Sequence, residues 1–378
     1  MKYLKFVIAA ALVCFLAVYA IKAVQTTEAV IKVVPVSHQT LADGEIDTTK
    51  YHSPSTGLKV VGLGELVYLK GMDAEGQAVT TYTWTLTGPA GSAATLDATD
   101  AEMVTFRPDI AGQYQVGLTI TTASGNADTS VTITSAEYVG VGTVGGLTPS
   151  FAKGQCAICH SDKEVEWKET GHATMFELAI DGLKSSHYGE SCIECHTVGF
   201  NEDTEAVNGG FDDVAQGLGW TFPDTLKDGN WADIVANFPD LAHVSNIQCE
   251  NCHGPGSLHK GDKSKIDITL EAGMCGRCHD EMTHHVKNQQ WEISKHATGT
   301  SFARGTSASC APCHSGWGFI AAVDPLSDLD QKTGDQNVSC AVCHDPHNAE
   351  IEHQVRTVGD VTLFNNEVVT GGGMGQLC

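Results

Sequence analysis

Residues 249–259 read CENCHGPGSLH. Cys249 and Cys252 stand two residues apart, His253 follows at once, and His259 comes six positions later. One stretch of this kind suits a zinc site, a redox disulfide or a covalently attached group. Its recurrence narrows the choice. The same C-x-x-C-H spacing appears six times: Cys156, Cys159 and His160; Cys192, Cys195 and His196; Cys249, Cys252 and His253; Cys275, Cys278 and His279; Cys310, Cys313 and His314; Cys340, Cys343 and His344.

Six copies without exception are the attachment signature of c-type haem. The two thiols add across the two vinyl groups of one porphyrin edge, and the adjacent histidine then turns beneath the ring to ligate the iron. Zinc has no reason to demand a histidine after every second cysteine, and four-ligand sites would pair the motifs in twos. Six haem c groups are therefore expected. Iron takes a second axial ligand, whose identity decides the function. Nine further histidines are available: His172, His187, His243, His259, His284, His285, His296, His347 and His353, with His284 and His285 as alternatives for one site. This surplus makes Met175, Met274 and Met282 unnecessary as ligands.

An internal repeat ranks these candidates. WKETGHAT (167–174) follows the first motif and WEISKHAT (291–298) follows the fourth. Each leads into another motif with a similar tail, CIECHTVGF in one and CAPCHSGWGF in the other. The region reads as a three-haem unit written twice. His172 and His296 occupy equivalent places. His259 and His347 come next, each a few residues after a proximal histidine. Six residues are too few for His259 to reach round its own porphyrin, so it is expected on the iron of a different haem. The final GGGMGQLC, ending on Cys378, has a lead-in like that of Cys275 and predicts the start of a seventh motif.

Upstream the pattern differs. MKYLKFVIAAALVCFLAVYAIKA (1–23) has the lysines, apolar run and small residues of a secretory signal, cleaved after Ala20 or Ala23, and Cys14 would leave with it. Residues 24–56 read as a linker segment. Across 57–138, TTYTWTLTG, MVTF and GQYQVGLTITTASGNADTSVTIT alternate apolar and polar residues between turn signals, which predicts an all-β sandwich. Glycine-rich 139–150 reads as a flexible linker and 151–378 as a mostly helix-and-coil haem domain. The expected fold is thus multidomain, an immunoglobulin-like sandwich followed by a multihaem domain.

The formal charge is −24, with 33 acids against 14 bases in residues 151–378. Such a surface repels phosphate backbones, which argues against nucleic-acid partners. Redox proteins or extracellular and periplasmic acceptors are expected instead, in the periplasm or at the cell surface, with no membrane span after signal cleavage. TYTWTLTGPAGS and AGQYQVGLTIT resemble PKD or fibronectin-type modules. C-x-x-C-H followed by W-x-x-[ST]-x-H-A, with the later CENCHGPGSLH, resembles the multihaem cytochromes related to hydroxylamine oxidoreductase and its tetrahaem acceptor. That resemblance implies close-packed haem pairs with His172, His259 and His296 as distal ligands. Electron transfer through bis-histidine haems is the expected function. The alternatives are a nitrite, hydroxylamine or sulfur-oxyanion oxidoreductase with one open iron, which needs an unfilled axial position, and a filament-forming cytochrome.

Overall fold

The computed structural model describes residues 26–44, 46–281, 285–298, 310–323, 337–357, 359–362 and 366–371. The expected signal peptide, Met282, His284 and Cys378 lie outside them.

Alternation along residues 81–87 aims Tyr82, Trp84 and Leu86 to one face, and the structure makes this stretch a strand. In chain order the strands are β1 (Ala29–Val33), β2 (Val60–Gly62), β3 (Val67–Asp73), β4 (Thr81–Thr87), β5 (Met103–Phe106), β6 (Gly112–Thr122) and β7 (Gly125–Ala136). They form a three-stranded sheet, β1-β3-β5, and a four-stranded sheet, β2-β7-β6-β4. One core joins the two, with Val67, Leu69, Val104, Tyr114, Val116, Ile120 and Ile133 fully buried. Each such side chain contributes about 1.5–3 kcal/mol on burial. The Tyr114 hydroxyl accepts the Asp109 N–H at 3.1 Å and donates to the Ile110 carbonyl at 2.9 Å, which pins the loop before β6. β1 lies in the segment expected to be a linker. Five residues carry too little alternation to announce a strand, and pairing with β3 supplies what they lack.

The chain beyond 150 is built from short helices and 3₁₀ turns, and the haem motifs sit on them, among them Cys249–His253, Ala272–His279 and Ala311–His314. A single turn carries the spacing: the N–H groups of His160, His314 and His344 donate to the carbonyls of Cys156, Cys310 and Cys340 at 2.9, 3.1 and 2.9 Å. Cysteines three apart therefore share one face, and the histidine follows directly. Phe176, Ile180, Ile193, Val198, Phe211, Ile234 and Leu241 form a separate core beside the second motif, while Val141, Val144, Ala157, Trp167 and Ala173 form another against Cys156 and Cys249.

Residues 139–141, expected within a flexible linker, are fastened in place. Glu250 accepts the Val139 and Gly140 N–H groups at 3.0 and 2.7 Å, and Gln248 accepts that of Val141 at 2.6 Å. Gly140 has φ +75°, and a Cβ there would collide with the His243 carbonyl. Here glycine serves close approach of two backbones, not mobility. The β module itself also packs against the helical region. Arg107 pairs with Asp203, Ser37 donates to Asp280 at 2.7 Å, and the Lys59 N–H donates to Asp267 at 2.7 Å.

Candidate haem-binding sites

Three imidazole pairs assemble from distant parts of the chain. The His160 and His259 ring centres are 6.2 Å apart with planes 18° from parallel. His253 and His347 are 6.0 Å apart at 3°, and His172 and His279 are 6.3 Å apart at 55°. Two imidazoles sharing one first-row metal place a nitrogen about 2.0 Å from it on each side, with each ring centre about 1 Å further back, so ring centres about 6 Å apart are expected. All three pairs meet that separation, and each joins the histidine of one C-x-x-C-H motif to a histidine that follows a different motif.

The outer ring nitrogens agree. His253, His259 and His344 turn Nδ1 to the carbonyls of Asp267, Asp262 and His353 at 2.7, 3.0 and 2.8 Å. Such contacts fix the tautomer and leave Nε2 for a metal. Burial lowers the pKa of His172 and His253, and burial followed by neighbouring imidazoles holds His196 and His279 at about 4. At neutral pH these rings are therefore neutral, the form that ligates. The apolar side chains of Val165 and Ile268 face outward at 61% and 67% exposure beside His160 and His253. A porphyrin face is the kind of apolar surface that covers them. The residues present thus fit haem c.

The cysteines meet across motifs. The Cys156 and Cys249 side chains are close neighbours, as are those of Cys195 and Cys278, where the Cys278 thiol also points at the Cys195 carbonyl at 3.9 Å, and those of Cys275 and Cys340. The repeat recurs in these contacts: the first motif meets the third, and the fourth meets the sixth. Trp167 and Trp291 repeat it again, their indoles donating to the carbonyls of Ile247 and Val338 at 3.0 and 2.8 Å, each two residues before a motif.

Other expected residues are not paired in this way. His196 stacks on Tyr188, with ring centres 5.3 Å apart, and the imidazoles of His285, His172 and His279 are near enough to act on it electrostatically. His285 stands edge-on to His279 at 5.6 Å. His243 is half-buried with an Nδ1 that has no hydrogen-bond partner, while His187 and His296 are exposed and His314 is partly buried. Met274 is buried at 8% exposure. His353 serves through its carbonyl, on His344.

A family model described as cytochrome c554 and c-prime matches residues 155–219. Cytochrome c-554 of Nitrosomonas europaea is 25% identical over 136 residues, covering 32% of this chain and 46% of that protein. The chain thus matches about half the length of this curated relative. Together with six C-x-x-C-H motifs, these matches support a multihaem c-type cytochrome. Among solved structures, a PKD domain from the KIAA 1837 protein shares 20% identity, covering 18% of this chain and 70% of that one. A quinonprotein alcohol dehydrogenase-like protein from Bacteroides thetaiotaomicron shares 16%, covering 24% and 22%. Both have a TM-score of 0.16, and neither describes the fold of this chain.

Sequence reasoning missed the charged residues inside the motifs. Glu194, in the second C-x-x-C, and Arg277, in the fourth, face each other at 3.6 Å with side chains only 10% and 13% exposed. His38, from the segment expected to be a linker, reaches Glu194 at 3.0 Å. Opposite charges in the gaps of two cytochrome motifs were a usable signal for the first pair. Nothing near His38 in the sequence announced the second contact.

Proposed function

We propose that this cytochrome transfers electrons outside the cytoplasm through six haem c groups, with crossed bis-histidine ligation. The cysteines named above would hold the porphyrins and His160, His196, His253, His279, His314 and His344 the proximal positions. His259, His347 and His172 would be distal ligands for the motifs of His160, His253 and His279. The carrying observation is the ring separation of 6.0–6.3 Å in three pairs drawn from different motifs. Haem supplies a one-electron couple. Where two histidines meet, they would ligate the iron from both sides and so keep inner-sphere substrates off it, and without a thioether ligand they would favour low potentials. The closeness of cysteines from different motifs would bring the porphyrins they hold near one another, and haems so spaced would pass electrons without a bound substrate. Exchange of distal histidines would join the two three-haem repeats, since His347 and His172 each cross from one repeat to the other. His285, His243, His187 and His296 remain candidates for the other irons.

The location reading draws on the N-terminal signal-like stretch, and no helix among the described residues is long and apolar enough to cross a membrane. The N-terminal module reads as PKD-like, supported by its two sheets over one core and by Tyr114 bonding back to the preceding loop. Redox proteins or extracellular acceptors are the partners that follow.

A second reading, an oxidoreductase, attaches to His196, whose closest ring is Tyr188 and not an imidazole. Low-temperature electron paramagnetic resonance of the oxidised, haem-loaded protein separates the two. Uniformly low-spin irons that ignore nitrite and hydroxylamine support the carrier. A high-spin iron that shifts on adding either ligand gives the oxidoreductase precedence.

A further inference from the structure

The ligand pairs are not held alike. His253 and His259 each turn Nδ1 to a backbone carbonyl, a neutral dipole. His347 turns Nδ1 to a carboxylate: Asp345 Oδ1 lies 3.3 Å away and also accepts the His347 backbone N–H at 3.0 Å. Asp345 is not free to swing. Its own N–H donates to the Gln354 carbonyl at 2.7 Å, and its Oδ2 faces the Arg356 guanidinium at 3.3 Å. Arg356 is anchored in turn on the Ala341 carbonyl at 2.9 Å. The guanidinium thus occupies one carboxylate oxygen and leaves the other directed at the imidazole.

We propose that Asp345 is a positioning residue that lowers the reduction potential of the haem held by Cys249, Cys252, His253 and His347. The inference rests on the His253–His347 pairing proposed above. A carboxylate on the outer nitrogen of a ligating histidine fixes its orientation and raises its basicity. Reduction takes iron(III) to iron(II) by one electron, with no proton transferred and the loss of one positive charge at the site. A basic imidazole with a fixed anion behind it favours the more positive, oxidised form. The pair of His160 and His259, with a carbonyl behind its distal ring, lacks this anion. Asp345 therefore sets the third-motif haem below the first-motif haem, although the Cys156–Cys249 contact makes them neighbours. Electrons then run down from the third motif to the first. Asp345 belongs to the sixth motif's loop, so one haem's peptide tunes another's iron.

The test is a potentiometric titration of the haem-loaded full chain, followed through the resolved low-spin resonances. Exchange of His347 for Gly first identifies the iron, because its component leaves the low-spin set. Asp345→Asn is then expected to raise the midpoint of that component alone, and Asp345→Glu to return it most of the way. If Asp345 only capped its loop, Asn would leave the midpoint in place or shift several components together, and either result overturns the inference while the pairing stands. If H347G leaves every iron low-spin, the pairing itself is refuted and the inference falls with it.

Discussion

Gln248, one residue before the third motif, is 2% exposed and holds three backbone segments together. Its Oε1 accepts the Val141 N–H at 2.6 Å, and its Nε2 donates to the carbonyls of Ser245 at 2.6 Å and His243 at 2.9 Å. Gln248→Ala leaves a donor and two acceptors unpaired in a buried place. An orphaned buried group costs about 1–3 kcal/mol, so three of them toward the lower part of that range give about 3–5 kcal/mol of stability expected to be lost. Gln248→Glu keeps the acceptor for Val141 but sets a carboxylate against two carbonyls, and it should cost at least as much at neutral pH. Denaturant unfolding of the haem-loaded protein, followed by tryptophan fluorescence with the slope m checked for constancy, measures both. The same bonds place Val141, whose carbonyl accepts the Ala157 N–H at 3.1 Å beside Cys156. The contact between the first and third motifs should therefore loosen as well. A loss below about 1 kcal/mol for Gln248→Ala would refute the view that residues 139–141 are fastened to the third motif through buried hydrogen bonds.

Three other outcomes follow from the same geometry. His172→Ala should convert a single iron, that of Cys275 and Cys278, to high spin in the oxidised spectrum and leave the His160–His259 and His253–His347 pairs low-spin. Arg277→Met strips the guanidinium from the buried Glu194 carboxylate and should cost about 3–5 kcal/mol in a denaturation curve, most of it recovered in the double variant with Glu194→Gln. The hydrogen bond that His38 Nε2 donates to the Glu194 carboxylate raises the pKa of His38 above its ordinary 6.5 against the opposing effect of burial. This contact then contributes its full stability below that value and loses it as pH rises through the raised one; His38→Gln should remove that slope from a pH series of unfolding midpoints.

Much of the β module was legible because a strand's period of two is written locally. Tyr82, Trp84 and Leu86 turn inward as their spacing requires, and Tyr114, Val116, Leu118 and Ile120 do the same in β6. β1 was not legible, since its pairing partner lies in β3 and its own residues carry no clear alternation. The glycines at 140 and 142 misled, because positive φ and close backbone approach draw on the same residue type as flexibility. Exposure at His296 separates it from its repeat equivalent His172, whose ring lies 6.3 Å from that of His279.

The covalent chemistry of the haem region was decided by the sequence alone, because thioether attachment needs two thiols and a histidine within one turn of chain, and a spacing of that length cannot be rearranged by folding. The choice of distal partner belonged to the tertiary structure. His259, His347 and His172 each face the histidine of another C-x-x-C-H motif, and a contact between segments brought together only by packing leaves no periodic mark on either. The same holds for Asp345 behind His347 and for His38 against Glu194: the residue types were visible, but the electrostatic partners exist only once the chain has closed around them.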